Sequence, residues 1–153
     1  MMVDFEQAMM SAITECLPKT QLKGCYFHFQ QALYRNLKSR ELTHYSNKPD
    51  SWTRKLFKKL GGLAFVPIEK LDIAYELIWT EAELIANLDQ YPFLKERVLD
   101  FKSYFEKQWF SNNSARVDRN IWNHYENQGR RTQNNLEGMF EKFQLSDLFK
   151  PFQ

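Results

Sequence analysis

The chain is poor in the residues that break regular structure: its 153 residues include 5 glycines and 5 prolines. So little punctuation argues against many short strands joined by tight turns and favours long helices. Cysteine is scarcer still, represented by Cys16 and Cys25 alone. Two thiols make no disulfide framework, so a reducing, intracellular setting is expected. No apolar run approaches the length that spans a bilayer, and no membrane role is expected. The opening MMVDFEQAMM carries no basic leader ahead of an apolar stretch, so no signal peptide is expected. Charge of one sign is not in large excess: 21 Lys and Arg against 19 Asp and Glu leave a formal net charge of +2. That balance neither demands nor excludes nucleic acid, because dedicated nucleic-acid modules usually show a larger excess or a basic stripe.

Apolar and aromatic material is plentiful. The chain is 43% hydrophobic and 16% aromatic, with 13 phenylalanines. This is enough for a packed core and excludes a disordered chain. The length suits one domain or part of a larger one. Met1, Met2 and Val3 run straight into Asp4 with no polar lead-in, as a buried strand would. Such a strand needs ladder partners, and one other strand-like segment is visible. The expectation is therefore a fragment, or a product with a misassigned start.

The apolar spacing predicts a strand over residues 1–4 and a helix over residues 5–17. That helix would bury Phe5, Ala8, Met9, Ala12, Ile13 and Cys16 and stop at Pro18. Residues 21–27 read as a strand and 28–39 as a helix with Phe29, Leu33 and Leu37 on one face. A polar loop over 43–50 leads to a helix capped by Asp50 or Ser51, carrying Trp52, Leu56 and Leu60 and broken at Gly61 and Gly62. Pro67 suits a first helical position, with a helix to about Asn87. Another runs from Pro92 through Leu94, Val98, Phe101, Phe105 and Trp109. Loops over 111–120 and 127–135 flank the aromatic segment 121–126, and Asn134 or Asn135 caps a last helix. The four tryptophans, Trp52, Trp79, Trp109 and Trp122, read as core first and base-stacking platforms second.

A few residues carry candidate chemistry. Asp4 sits between a strand and a helix, where α/β folds hold functional groups, although a helix cap explains a lone acid there as well. Glu137 stands in the first turn of a helix, where the dipole alone favours a carboxylate. Cys25 and His28 form half of a zinc site. Structural zinc wants four ligands, and Cys16, His44 and His124 do not supply a second close pair, so zinc is not favoured. Arg54, Lys55, Lys58 and Lys59 form a basic cluster, and Arg130 and Arg131 lie in a loop. Such residues neutralise phosphates, but equally make a solvated face.

The order of these pieces is more specific than any one of them. Asp4-Phe5-Glu6 is followed by Lys23-Gly24-Cys25-Tyr26-Phe27-His28, then Leu63-Ala64-Phe65-Val66-Pro67. Tyr104-Phe105-Glu106 with Trp109, Trp122-Asn123, and Arg131-Thr132 with Asn134-Asn135-Leu136-Glu137-Gly138 complete the series. Over residues 2–144 this succession resembles the transposase domain of Mutator-like elements. The resemblance implies a mostly helical α/β chain, part of an RNase H-like DDE catalytic core with a helical insertion. It implies core residues 1–40 bearing the second acid, Asp4, an insertion over 41–120, and a C-terminal core part over 121–153 bearing the third acid, Glu137.

The implied chemistry is metal-dependent cleavage and transfer of DNA strands. Two magnesium ions at one phosphate activate the attacking oxygen and stabilise the leaving one, and hard ions of this kind take carboxylate oxygens. Asp4 and Glu137 are the implied ligands, transposon-end DNA the implied partner and the nucleus the implied location; self-association is left open. Two departures stand out. No acid precedes Asp4, so the first aspartate of the family's set is missing and the chain alone is expected not to cut DNA. Met139 and Phe140 stand where the family often has Trp-His. A decayed or domesticated transposase, acting as a non-catalytic DNA- or protein-binding module, is the alternative reading.

Overall fold

The computed structural model describes residues 1–46, 51–88, 93–111, 114–129 and 131. The described residues are mostly helical, with one small parallel sheet. Strand β1 (Met2–Val3) leads to helix α1 (Gln7–Cys16), and β2 (Lys23–Gly24) returns beside β1. Met2 pairs with Lys23 and Val3 with Gly24. A parallel pair cannot be closed by a tight turn, so α1 serves as the crossover between them. Helices α2 (Tyr26–Ser39), α3 (Trp52–Gly62), α4 (Leu71–Leu88), α5 (Leu94–Phe105) and α6 (Arg119–Trp122) follow. Single turns of 3-10 helix occupy Leu42–Ser46, Leu63–Phe65 and Ile68–Lys70, and a π-helical turn over Glu106–Phe110 extends α5.

Helix α1 is shorter than its apolar spacing predicts. Phe5 adopts φ 70°, in the left-handed region, so the helix cannot begin there. Glu6 is the N-cap residue. The buried face also differs. Met10 is buried and Ile13 packs partly against the core, whereas Ala8, Met9, Ala12 and Cys16 are exposed. Phe5 turns away from the helix and meets Trp109 edge-on, with ring centroids 4.9 Å apart.

The strand expected over 21–27 ends at Gly24, and Tyr26 and Phe27 form the first turn of α2. The amide of Cys25 closes the ladder on the Val3 carbonyl at 2.6 Å, after which the Tyr26 amide is taken by the Arg131 carbonyl at 2.8 Å. That long-range partner overrides the strand preference of the aromatic pair. Helix α3 ends at Gly62, where the glycine pair was expected to break it, and the chain continues into the 3-10 turn at Leu63. A Cβ on Gly61 would lie 1.9 Å from the Gln30 side chain, so this glycine permits close packing of α3 on α2. Ser51 occupies the N-cap of α3 without a side-chain cap bond. Pro67 precedes a 3-10 turn, and α4 starts at Leu71. Pro92 and the helix expected after Asn135 lie outside the described residues.

The core forms around α2. Phe29 and Leu33 are fully buried, and Trp122 stacks on Phe29 with ring centroids 5.2 Å apart and planes 5° from parallel. Trp109 meets Phe29 edge-on at 5.0 Å. The Trp122 indole N–H donates to the Trp109 carbonyl at 2.8 Å, so the ring is buried without an orphaned donor. Leu56 and Leu60 of α3, Tyr75 and Trp79 of α4, and Phe101 and Phe105 of α5 continue the same cluster. Trp79, Trp109 and Trp122 are thus core residues, and Trp52 is partly buried. Burying such rings contributes about 1.5–3 kcal/mol each. No helix among the described residues is long and apolar enough to cross a membrane.

Candidate functional site

Parallel pairing puts the ends of β1 and β2 on one edge of the sheet. Asp4 follows β1 there and Cys25 follows β2. Asp4 is exposed, and its carboxylate accepts one long bond, from the Glu6 amide at 3.4 Å. It does not cap α1, whose N-cap is Glu6. The capping explanation of this acid therefore fails, and its oxygens stay open to solvent.

Cys25 is a buried free thiol at the N-cap of α2. His28, one turn on, is half-buried, and its Nδ1 is buried with no hydrogen-bond partner among the described residues. Its ring meets Phe27 edge-on at 5.5 Å. Cys16 and His44 are exposed, while His124 is buried. Among the described residues no group of three or more His, Cys, Asp or Glu is placed to hold a metal ion.

Glu137 and Arg130 lie outside the described residues. Arg131 lies within them, and its backbone carbonyl receives the Tyr26 amide. Its guanidinium lies over the Phe65 ring, 4.9 Å from the centroid. Arg131 therefore lies beside the strand edge that carries Asp4 and Cys25. Sequence spacing alone does not bring these segments together.

A polar network beside this edge escaped the sequence reading. Lys23, on β2, donates from Nζ to the carbonyls of Asn120 at 2.8 Å and Asn123 at 3.0 Å. Asn123 is buried and donates to the Val66 carbonyl at 2.8 Å, while its own side-chain oxygen accepts from the Tyr125 amide at 3.0 Å. The His124 amide bonds the Ala64 carbonyl at 2.6 Å, and Asn127 lies 2.9 Å from its Nδ1. His124 is buried. Burial pushes its pKa below the ordinary histidine value, against the Gly24 backbone, which favours the charged form; Lys23 and Arg131 lower it further. On α2, Gln30 donates to the Tyr26 hydroxyl at 2.6 Å, and burial raises the pKa of that phenol. The Lys-Gly-Cys and Trp-Asn pairs marked these places, but not the bonds that join them.

The basic cluster is divided by the fold. Lys55 and Lys58 project from α3 into solvent. Lys59 is ion-paired with Glu81 of α4, and Arg54 is half-buried. Two of the four cations therefore remain available as an exposed pair. Comparison with protein-family models, curated proteins and solved structures returned no match.

Proposed function

We propose that this chain is part of a DDE transposase core of the Mutator-like type, RNase H-like with a helical insertion. In this reading Asp4 and Glu137 are its second and third acids, and the complete core works on transposon-end DNA in the nucleus, this chain alone being inactive. The observation that supports it best is the strand edge. Asp4 sits there exposed and not used as a cap, and the Tyr26–Arg131 bond tethers to that edge the chain six positions ahead of Glu137. The donor chemistry fits: an open carboxylate is a hard oxygen ligand of the kind magnesium takes. Asp4 and Glu137 would hold the metal, which when bound polarises the scissile phosphate and lowers the pKa of an attacking water.

The protein's own residues supply orientation. Lys23 and Asn123 join the strand edge to the segment after α6, which fixes the base of the site. Arg131 provides positive charge for the phosphate backbone of DNA, and Lys55 and Lys58 are exposed cations of α3 that suit the same role. Manganese titration followed by NMR tests the reading. Added Mn²⁺ is expected to broaden the amides around both Asp4 and Glu137, and Asp4→Ala or Glu137→Ala to weaken that effect by about tenfold or more. Broadening at one acid alone, or unaltered broadening in both variants, would overturn the shared site.

A further inference from the structure

Helix α4 has two apolar faces. One, with Leu71, Tyr75, Trp79, Ala82 and Ala86, is buried in the core. The other is not used. Ile73 and Leu77 are each 67% exposed, and Leu84 is 58% exposed. Their spacing of four and then seven positions places them on a single stripe, with Thr80 between. Large exposed apolar side chains aligned on a helix signal an interaction surface, where scattered ones do not.

The charges along the stripe decide what fits it. Glu76 and Glu83 border one side and Glu81 the other. Glu81 and Glu83 are already paired, with Lys59 and Lys102. Glu76, and Glu69 ahead of the helix, are exposed without an ion pair among the described residues. A second copy fits badly. Packed parallel on itself, α4 sets Glu76 opposite Glu81 of the other copy; packed antiparallel, it sets Glu76 opposite Glu83. Either way Glu76 meets a carboxylate already held by a lysine and gains no free cation. An anionic membrane fits badly as well, because helices that lie on such surfaces border the apolar face with Lys and Arg.

We propose that the outer face of α4 docks an amphipathic helix of a partner protein whose apolar stripe is flanked by Lys or Arg. Ile73, Leu77 and Leu84 bury against the partner's stripe, and Glu69 and Glu76 meet its basic flank. Leu77 stands at the centre of the surface and so carries the largest share of the affinity.

The probes are two synthetic helices as long as α4, both with leucine on one face. One has lysine along the edges of that face and its twin has glutamate. The lysine peptide is expected to bind the full chain saturably and to shift the NMR signals of α4, with the glutamate twin weaker by about tenfold or more. Leu77→Glu is expected to weaken the lysine peptide by about tenfold or more. Leu77 is exposed, so this variant keeps the fold, as near-ultraviolet circular dichroism verifies. Glu76→Lys is expected to narrow the preference between the twins. The proposal is overturned if both peptides bind alike, if neither binds, or if Leu77→Glu changes nothing. A dimer in sedimentation that Leu77→Glu dissolves would assign the stripe to a second copy instead. Leu77-dependent uptake by anionic vesicles would assign it to a membrane.

Discussion

His124 is 1% exposed, and its neighbours include Lys23 and Arg131, both of which oppose a charge on the ring. The consequence follows from linkage. The folded pKa is depressed below the ordinary histidine value of 6.5, so at pH values between the two the unfolded chain binds the additional proton. The stability held by the neutral ring is fully present above the unfolded value. It is lost progressively as pH falls from there towards the folded value. The urea midpoint of the wild-type protein is therefore expected to fall as pH drops below the ordinary histidine range, more steeply than that of His124→Gln, which has no imidazole to titrate. Parallel pH profiles in the two proteins would show that His124 does not contribute. Asp4 makes the complementary point. Its position after a strand was legible in the sequence, but whether it caps α1 depended on Phe5 entering the left-handed region, which no spacing rule foretells.

Helix boundaries bring out the same distinction. The rhythm of Phe29, Leu33 and Leu37, or of Leu94, Val98, Phe101 and Phe105, named the buried faces of α2 and α5 correctly. The rhythm failed for α1, because an apolar stripe is buried only where a neighbour exists to cover it. It also marked Gly61 only as part of the helix end, and gave no sign of the close contact with Gln30 that its missing side chain allows. The start of α5 leads to a direct test. Phe93 is its N-cap residue at φ 63°, is 66% exposed and makes no side-chain cap bond. A phenylalanine gains nothing there, and the left-handed conformation costs it about 1–2 kcal/mol. Asparagine tolerates that region and is a good cap, so Phe93→Asn is expected to stabilise the protein by about 0.5–1 kcal/mol, read as a higher melting temperature. A lower one would mean that the phenyl ring has a packing role.

The whole molecule is joined across long sequence separations. Lys23 reaches the carbonyls that end α6, the Tyr26 amide reaches Arg131, and the Trp122 ring lies on Phe29. These contacts hold the strand edge and the later segments as one unit. Lys23→Met keeps most of the side-chain volume and leaves two carbonyls without their donor, at an expected cost of about 1–3 kcal/mol. Hydrogen exchange should then accelerate over residues 119–124 while α4 and α5 keep their protection. Uniform acceleration everywhere, or none, would refute this local tie.

Helical character, the burial of Trp79, Trp109 and Trp122 and the strand end at Asp4 were all legible in the chain as a string of residues. Each depends on composition, on the period of the apolar positions or on a nearby breaker, and all of these act within a few residues. The buried side of α1, the role of Gly61, the Lys23–Asn123 link and the approach of Arg131 to Tyr26 were settled by three-dimensional packing. Each needs partners tens of residues away, and the local pattern carries no record of which partner satisfies a given amide, carbonyl or apolar face.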